Sequence, residues 1–106
     1  MLQRHVFVVL TNAREGQDDE FNAWYDARHL PDVLDVPGIV RAERFRLSDA
    51  QIREERPYRY CALYEIETDD LDAVLDELRA RAGTDAMPIT KAIDRDRIAL
   101  IFQPLA

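Results

Sequence analysis

The sequence contains few of the residues that would indicate a disulfide, a nucleotide site or a membrane span. Its one cysteine, Cys61, cannot form an internal disulfide. Its three glycines are isolated, so no glycine-rich phosphate-binding loop is present. No apolar run approaches the roughly 20 residues of a membrane helix, and the first five residues lead into a strand-like segment rather than a signal peptide. We therefore expect a cytoplasmic protein with no membrane partner.

Basic residues are scarce as well. The chain has 14 lysines and arginines against 21 aspartates and glutamates, a formal net charge of −7. Nucleic-acid binding needs a basic face that neutralises phosphates, so we expect no nucleic-acid partner. Two histidines on separate elements and one cysteine do not form a metal-ligand cluster, although His29 and Asp32 could supply two ligands. We predict no metal and no organic cofactor.

The chain does contain enough apolar residues to build one core. Hydrophobic residues make up 47% and charged residues 33% of the 106 positions, which is typical of a folded globular protein. A chain of this length forms one domain, so residues 1–106 are predicted to form a single domain. Cys61 has apolar neighbours, and we expect it to be a small core residue rather than a nucleophile.

Four segments have the composition of strands, and two have the pattern of helices. The strands are predicted over residues 4–11, 39–47, 58–67 and 98–102. The first helix begins at Asp18, and Pro31 should end or kink it just after His29. The second helix is amphipathic over 71–82, with Thr68 as its candidate N-cap.

This order, β-α-β-β-α-β, predicts an α+β, ferredoxin-like fold with a four-stranded antiparallel sheet. Both helices lie on one face of such a sheet. Three of the predicted strands are apolar on both sides, so the helix-free face would expose a large apolar patch. The simplest cover is the same face of a second copy, and we predict a homodimer through the helix-free face.

The segment from Phe21 to Gly38 is the strongest candidate for a site. Tyr25 and His29 are four residues apart and lie on the same side of a helix. Asp26 and Asp32 flank His29 at three residues on either side. His29 is a candidate general acid or base, with Tyr25 sharing its proton network and Asp26 or Asp32 fixing its tautomer. The alternative is a helix-terminal histidine that bonds the last carbonyl groups.

Other aromatic and charged residues are candidates for the wall of a pocket. Trp24 supplies apolar area to the core first, and its indole needs a hydrogen-bond partner. Tyr60 and Tyr64 share one face of the third strand and either pack with bonded hydroxyls or line a pocket. Arg44 could bind a carboxylate or phenolate, but an ion pair with a nearby acid is the stronger expectation. His5 is expected to be structural or to lie at the rim.

Two features have alternative interpretations. Arg28 projects onto the apolar side of a regular helix, so it either extends its stem to solvent or offers a cation to the pocket. Residues 84–97 form a long connection for so small a domain. They could cover the pocket or contact a partner.

The chain resembles the EthD-like branch of the dimeric α+β barrel superfamily. The residues that carry this resemblance are Trp24-Tyr25, His29-Leu30-Pro31, Pro37-Gly38, Arg44-Phe45 and the strand from Tyr60 to Tyr64. The resemblance covers nearly the whole chain and implies a dimeric barrel. The superfamily includes cofactor-free monooxygenases, muconolactone isomerases, polyketide cyclases and haem enzymes, so the resemblance alone does not define a reaction.

The resemblance and the residues together suggest three functions. The first is a cofactor-independent enzyme that acts on a small, largely apolar or aromatic oxygenated compound, as an isomerase, cyclase, lyase or substrate-assisted monooxygenase. Its catalytic residues would be His29, Tyr25 and Asp32. Substrate would contact Trp24, Arg44, Tyr60, Tyr64 and His5, the last because related cyclases use a histidine near that position. The second is a non-catalytic binding or accessory protein, and the third is a haem protein with His29 or His5 as axial ligand.

Overall fold

The computed structural model describes residues 1–106. Four strands and two helical regions follow one another in the predicted order. The strands are β1 Gln3–Thr11, β2 Ile39–Arg46, β3 Tyr60–Thr68 and β4 Ile98–Phe102. The first helical region comprises α1 Asp18–Trp24, a π-helical turn Tyr25–His29 and α2 Leu30–Leu34; the second is α3 Leu71–Arg81. None of these helices is long and apolar enough to span a bilayer.

The strands form one antiparallel sheet in the order β2-β3-β1-β4, as a ferredoxin-like fold requires. β1 lies in the middle, where Phe7 stands between Tyr64 of β3 and Ile101 of β4. β3 begins at Tyr60 rather than at residue 58, because the amide of Arg59 bonds to the side chain of Asn12 instead of to a strand. The register places odd-numbered residues of β1 and even-numbered residues of β3 on the helix-covered face.

The first helical region does not end after His29. It continues through the π-helical turn to Leu34, and the amide of Leu30 bonds to the carbonyl of Tyr25, five residues earlier. Pro31 has no amide hydrogen, and its ring would crowd the preceding turn of a regular helix. The wider turn accommodates the proline without a break. Such π turns occur mostly within α-helices and are frequent at functional sites.

The second helix has a different cap from the predicted Thr68. Asp70 is the N-cap, and its carboxylate accepts a hydrogen bond from the amide of Ala73 at 3.1 Å. The hydroxyl of Thr68 instead accepts from the amide of Asp70 at 3.0 Å. A small side-chain turn therefore separates β3 from α3 and moves the cap two residues along the chain.

One hydrophobic cluster lies between the helices and the sheet. Phe21, Tyr25 and Val33 of the first helical region pack there with Val74 of α3, so both helical regions cover the same face. The turn between α2 and β2 contains Gly38 at φ +98°, where a Cβ atom would lie 2.8 Å from Cγ2 of Val74. Only glycine adopts this conformation and leaves room for the helix.

The other face of the sheet has no covering helix. Leu100 and Phe102 of β4 are 51% and 53% exposed, and Phe45 of β2 is 42% exposed. Cys61 lies on this face, half-buried among strands rather than in the core that the sequence suggested, because its side chain alternates away from that of its buried neighbour Ala62. Nothing within one chain covers this apolar surface.

Candidate functional site

A cavity of about 270 Å³ lies between the helix-covered face of the sheet and the irregular segment that follows α3. Twelve of its 15 lining residues are hydrophobic. The other three are Thr11, His29 and Arg97. The cavity therefore suits a small, largely apolar molecule that meets a few polar atoms in defined places.

His29 is held in this cavity by two aromatic neighbours. Its ring stacks on Trp24 with the centroids 4.5 Å apart and meets the edge of Tyr25 at 4.9 Å. Its Nδ1 atom is buried and has no hydrogen-bond partner. Nε2 forms no hydrogen bond and is not among the buried atoms without a partner, so it keeps accessible surface, and His29 lines the cavity. Burial lowers the pKa of His29 from 6.5 to about 4, so the imidazole is neutral at physiological pH.

The carboxylates expected to orient His29 are engaged elsewhere. Asp32 accepts a hydrogen bond from Nε of Arg28 at 2.7 Å, and Asp26 pairs with Arg44 at 2.7 Å. The π-helical turn points Arg28 outward, where it also donates to the carbonyl of Asp85. Arg28 thus extends to solvent, which was one of its two predicted roles, and Asp32 acts on His29 only through its charge, which raises the pKa of the imidazole. His29 also bonds no helix carbonyl, because the helix does not end there.

Tyr25 pairs with Tyr64 rather than with His29. Their hydroxyl oxygens are 3.0 Å apart and both rings line the cavity. Burial raises the pKa of both phenols, so both stay protonated. Each phenol carries one hydrogen, so whichever hydroxyl accepts in this pair keeps its own hydrogen for a third oxygen.

Arg44 and Tyr60 lie behind this wall and do not line the cavity. The guanidinium of Arg44 lies over the Tyr25 ring, 4.3 Å from its centroid, and donates to Asp26 and Asn22 at 2.7 Å. The hydroxyl of Tyr60 donates to Asp18 at 2.6 Å and accepts from Asn22. The ion pair expected for Arg44 is therefore present, and the Arg44 guanidinium packs on the Tyr25 ring from outside the cavity.

Trp24 connects the helix to the segment at residues 84–97. Its indole Nε1 donates to the carbonyl of Pro88 at 3.0 Å, which is the partner that the sequence could not identify. Met87, Ile89 and Ile93 of the same segment line the cavity. The segment thus covers the cavity, which was one of its two predicted roles.

His5 lies apart from the site. It is 5% exposed, its Nδ1 atom has no hydrogen-bond partner, and it does not line the cavity. It faces the same side of the sheet as Phe7 but lies near the start of β1, where it pairs with Ile66. The position agrees with a structural residue rather than with a substrate contact.

Arg97 is the one charged residue of the cavity wall, and it was not among the residues predicted from the sequence. It directly precedes β4, and Ala99 and Ile101 of that strand face the helices opposite Val9 and Phe7. Side chains alternate along an extended chain, so Arg97 falls on the same face as Ala99. Extending the period-two pattern of β4 by one residue pair would have identified it.

The site does not present a metal-binding cluster, since no group of three histidine, cysteine, aspartate or glutamate residues is placed to hold an ion. Haem fits poorly too. Nε2 of His29 is a suitable axial ligand, but the cavity volume of about 270 Å³ is below the roughly 300–1,000 Å³ of pockets for drug-sized ligands. A haem does not fit the cavity as it stands.

No protein-family profile matches the chain, and no curated protein matches it in sequence. Solved structures do resemble it. A protein of the EthD (ethyl tert-butyl ether d) family from Bacillus halodurans has a TM-score of 0.60 at 18% identity, over 99% of this chain and 100% of that chain. A dimeric ferredoxin-like protein of unknown function from Thermobifida fusca has a TM-score of 0.61 at 16% identity, over 96% of this chain and 92% of that chain.

A third similar structure is a haem degrader from Mycobacterium tuberculosis with two haems in its active site. Its TM-score is 0.62 at 17% identity, over 96% of both chains. At these identities the likeness concerns the fold and not the activity. The comparisons agree with the resemblance found in the sequence, and they confirm that the chain has the ferredoxin-like α+β fold of this group of proteins.

Proposed function

We propose that the protein is a cofactor-independent enzyme that moves a proton within a small, largely apolar oxygenated compound. The observation that carries this proposal is a neutral His29 in the wall of a largely apolar cavity, with a ring nitrogen, Nε2, that keeps accessible surface. A buried base that is neutral at physiological pH is ready to accept a proton without first losing one.

In this mechanism, Nε2 of His29 takes a proton from a C–H or O–H group beside a carbonyl of the substrate. The imidazolium that forms is poorly stabilised, because burial disfavours its positive charge. It therefore returns the proton readily to another atom of the same molecule. Isomerisation or cyclisation by such a transfer balances without an oxidant or a second substrate.

The phenol pair supplies the complementary group. Negative charge develops on the substrate oxygen as the proton leaves, and the free hydrogen of the Tyr25–Tyr64 pair can bond to that oxygen. Both phenols remain protonated because their pKa values are raised by burial. Asp32 contributes through its charge, which favours the imidazolium, and Trp24 fixes the plane of the imidazole.

The enzyme is proposed to act as a homodimer. The helix-free face exposes large apolar side chains, and the similar protein from Thermobifida fusca is described as dimeric. Packing this face against a second copy would remove Leu100, Phe102 and Phe45 from water. The cavity lies on the opposite face and would remain open in that dimer.

The second candidate is a non-catalytic protein that binds the same compound. A base with a pKa of about 4 is weak, and this observation favours simple binding if the compound is not acidic. Haem binding is a weaker alternative because of the cavity volume, although the similar haem degrader shows that the fold can hold haem.

Native mass spectrometry of freshly purified protein, followed by a turnover assay with any retained compound, tests the proposal. We expect a retained compound of small mass that the protein converts to an isomer, with loss of conversion in His29→Gln. A compound that is retained but never converted would instead establish the binding protein. A retained haem would overturn both interpretations of the cavity.

A further inference from the structure

Arg97 is the only permanently charged residue in the wall of the cavity. No carboxylate lines the cavity, although the chain carries 21 acidic residues and a net charge of −7. A ligand that enters therefore meets one cation, no anion and otherwise neutral groups. This charge distribution favours a negative ligand over a positive one.

The guanidinium of Arg97 is also free of partners. The two other arginines close to the site are both engaged, Arg28 with Asp32 and Arg44 with Asp26. Arg97 forms no ion pair and donates no hydrogen bond within the chain. Burial is the main cause of the lowered pKa of His29 and the raised pKa of Tyr25, and the charge of Arg97 acts on both groups as a smaller contribution. An arginine with a free planar fork is suited to bind two oxygens of a carboxylate.

We propose that the ligand of this cavity is an apolar ring or chain compound with one negatively charged oxygen group, such as a carboxylate, which Arg97 binds. The inference rests on the proposed function only in taking the same cavity as the ligand site. It adds the class of the substrate and its orientation, with the negative group at Arg97 and the apolar body against Trp24. A bound anion would also partly stabilise the imidazolium of His29 and so make it a stronger base.

Trp24 allows a direct test, because it is the only tryptophan of the chain and lines the cavity. Its fluorescence is followed while the protein is titrated with cyclohexanecarboxylate and with cyclohexylmethanol, which have similar shapes and differ in charge. Arg97→Gln is compared with Arg95→Gln. Arg95 is exposed, lies two residues away and does not line the cavity, so both variants change the net charge equally.

We expect the wild type to bind the carboxylate more tightly than the alcohol. Arg97→Gln should weaken carboxylate binding by about tenfold. The effect is no larger because Arg97 is exposed to water, which screens its attraction to a carboxylate. Arg97→Gln should not change the affinity for the alcohol, and Arg95→Gln should not change the affinity for either probe. Added salt should weaken carboxylate binding but not alcohol binding.

Equal binding of the two probes, equal losses in the two variants, or no fluorescence response to either probe at millimolar concentration would each overturn the inference. The test does not depend on turnover. A protein that prefers the carboxylate through Arg97 but converts no compound would refute the proposed enzyme and leave the anionic ligand in place. Turnover of an uncharged compound at a rate that Arg97→Gln does not change would support the proposed enzyme and refute the anionic ligand.

Discussion

The imidazole of His29 stacks on the indole of Trp24 with their planes 22° apart and their centroids 4.5 Å apart. The indole is in turn hydrogen-bonded to Pro88 of the segment that covers the cavity. A ligand that displaces His29 must therefore disturb Trp24, and a movement of the covering segment must do so too. The candidate base, the wall and the cover of the cavity form one connected unit.

His29→Gln should reduce turnover of a substrate by about 10²–10⁴, the usual contribution of a general acid or base. The melting temperature should change little, because neither ring nitrogen makes a hydrogen bond that the substitution would remove. His5→Gln is the matched control, since His5 is also buried with an unpartnered Nδ1 but does not line the cavity. A rate and a melting curve for each variant give the answer. If His29→Gln melts far lower but has normal turnover per folded molecule, His29 is a structural residue.

Acid should destabilise the protein partly through His29. As the pH falls through 6.5, the unfolded chain binds a proton at this residue, whereas the folded chain does so only near pH 4. The free energy of unfolding should therefore fall across this window, by roughly 3 kcal/mol at most from this group. Urea unfolding at several pH values measures the decline, which should be smaller in His29→Gln. Parallel pH profiles in the two proteins would show that the imidazole titrates normally in the folded state.

The helix-free face should hold two copies together. Light scattering after gel filtration should give twice the chain mass of 12.3 kDa for the wild type at micromolar concentration. Leu100→Asp should shift the mass to that of one chain, because a carboxylate would be buried in the apolar contact. Leu105→Asp should remain dimeric, since Leu105 is fully exposed beyond β4. A wild type that elutes as one chain would remove the barrel from the proposal.

Gly38→Ala should destabilise the fold more than Gly83→Ala. Both glycines have positive φ angles, +98° and +83°, so both substitutions strain the backbone. Only at Gly38 does the new methyl group meet a buried side chain, at 2.8 Å from Val74. We expect about 1–3 kcal/mol more destabilisation at Gly38, or at least several degrees in melting temperature. Equal melting temperatures in the two variants would mean that α3 moves away freely.

The sequence predicted the sheet, its connectivity and its helix-covered face well, because these depend on regular apolar periodicity. It also identified four residues that line or support the wall: Trp24, Tyr25, His29 and Tyr64. It failed where a side chain has a choice of partners. Asp32 could bond to His29 or to Arg28. The π-helical turn sets the direction in which the Arg28 side chain points, and this decides the partner of Asp32.

Arg44 and Tyr60 show the same limit for strands. Alternation correctly predicted that Tyr60 and Tyr64 share a face. It could not predict that Asp18, Asn22 and Asp26 of the helix would engage Tyr60 and Arg44 before a ligand could reach them. Such side-chain networks depend on how the helix is placed over the sheet, which local patterns do not specify.

The π-helical turn at Tyr25–His29 has a consequence for insertions and deletions. In a regular helix, each residue adds about 100° of rotation, and Val33 would project about 120° away from Phe21. The wider turn takes up nearly one residue of that rotation, so Phe21 and Val33 are both buried against the sheet. Removing one residue from this turn would therefore restore a regular helix and keep Val33 in phase with Phe21. A single-residue deletion, which ordinarily misaligns a helix, should here preserve the core.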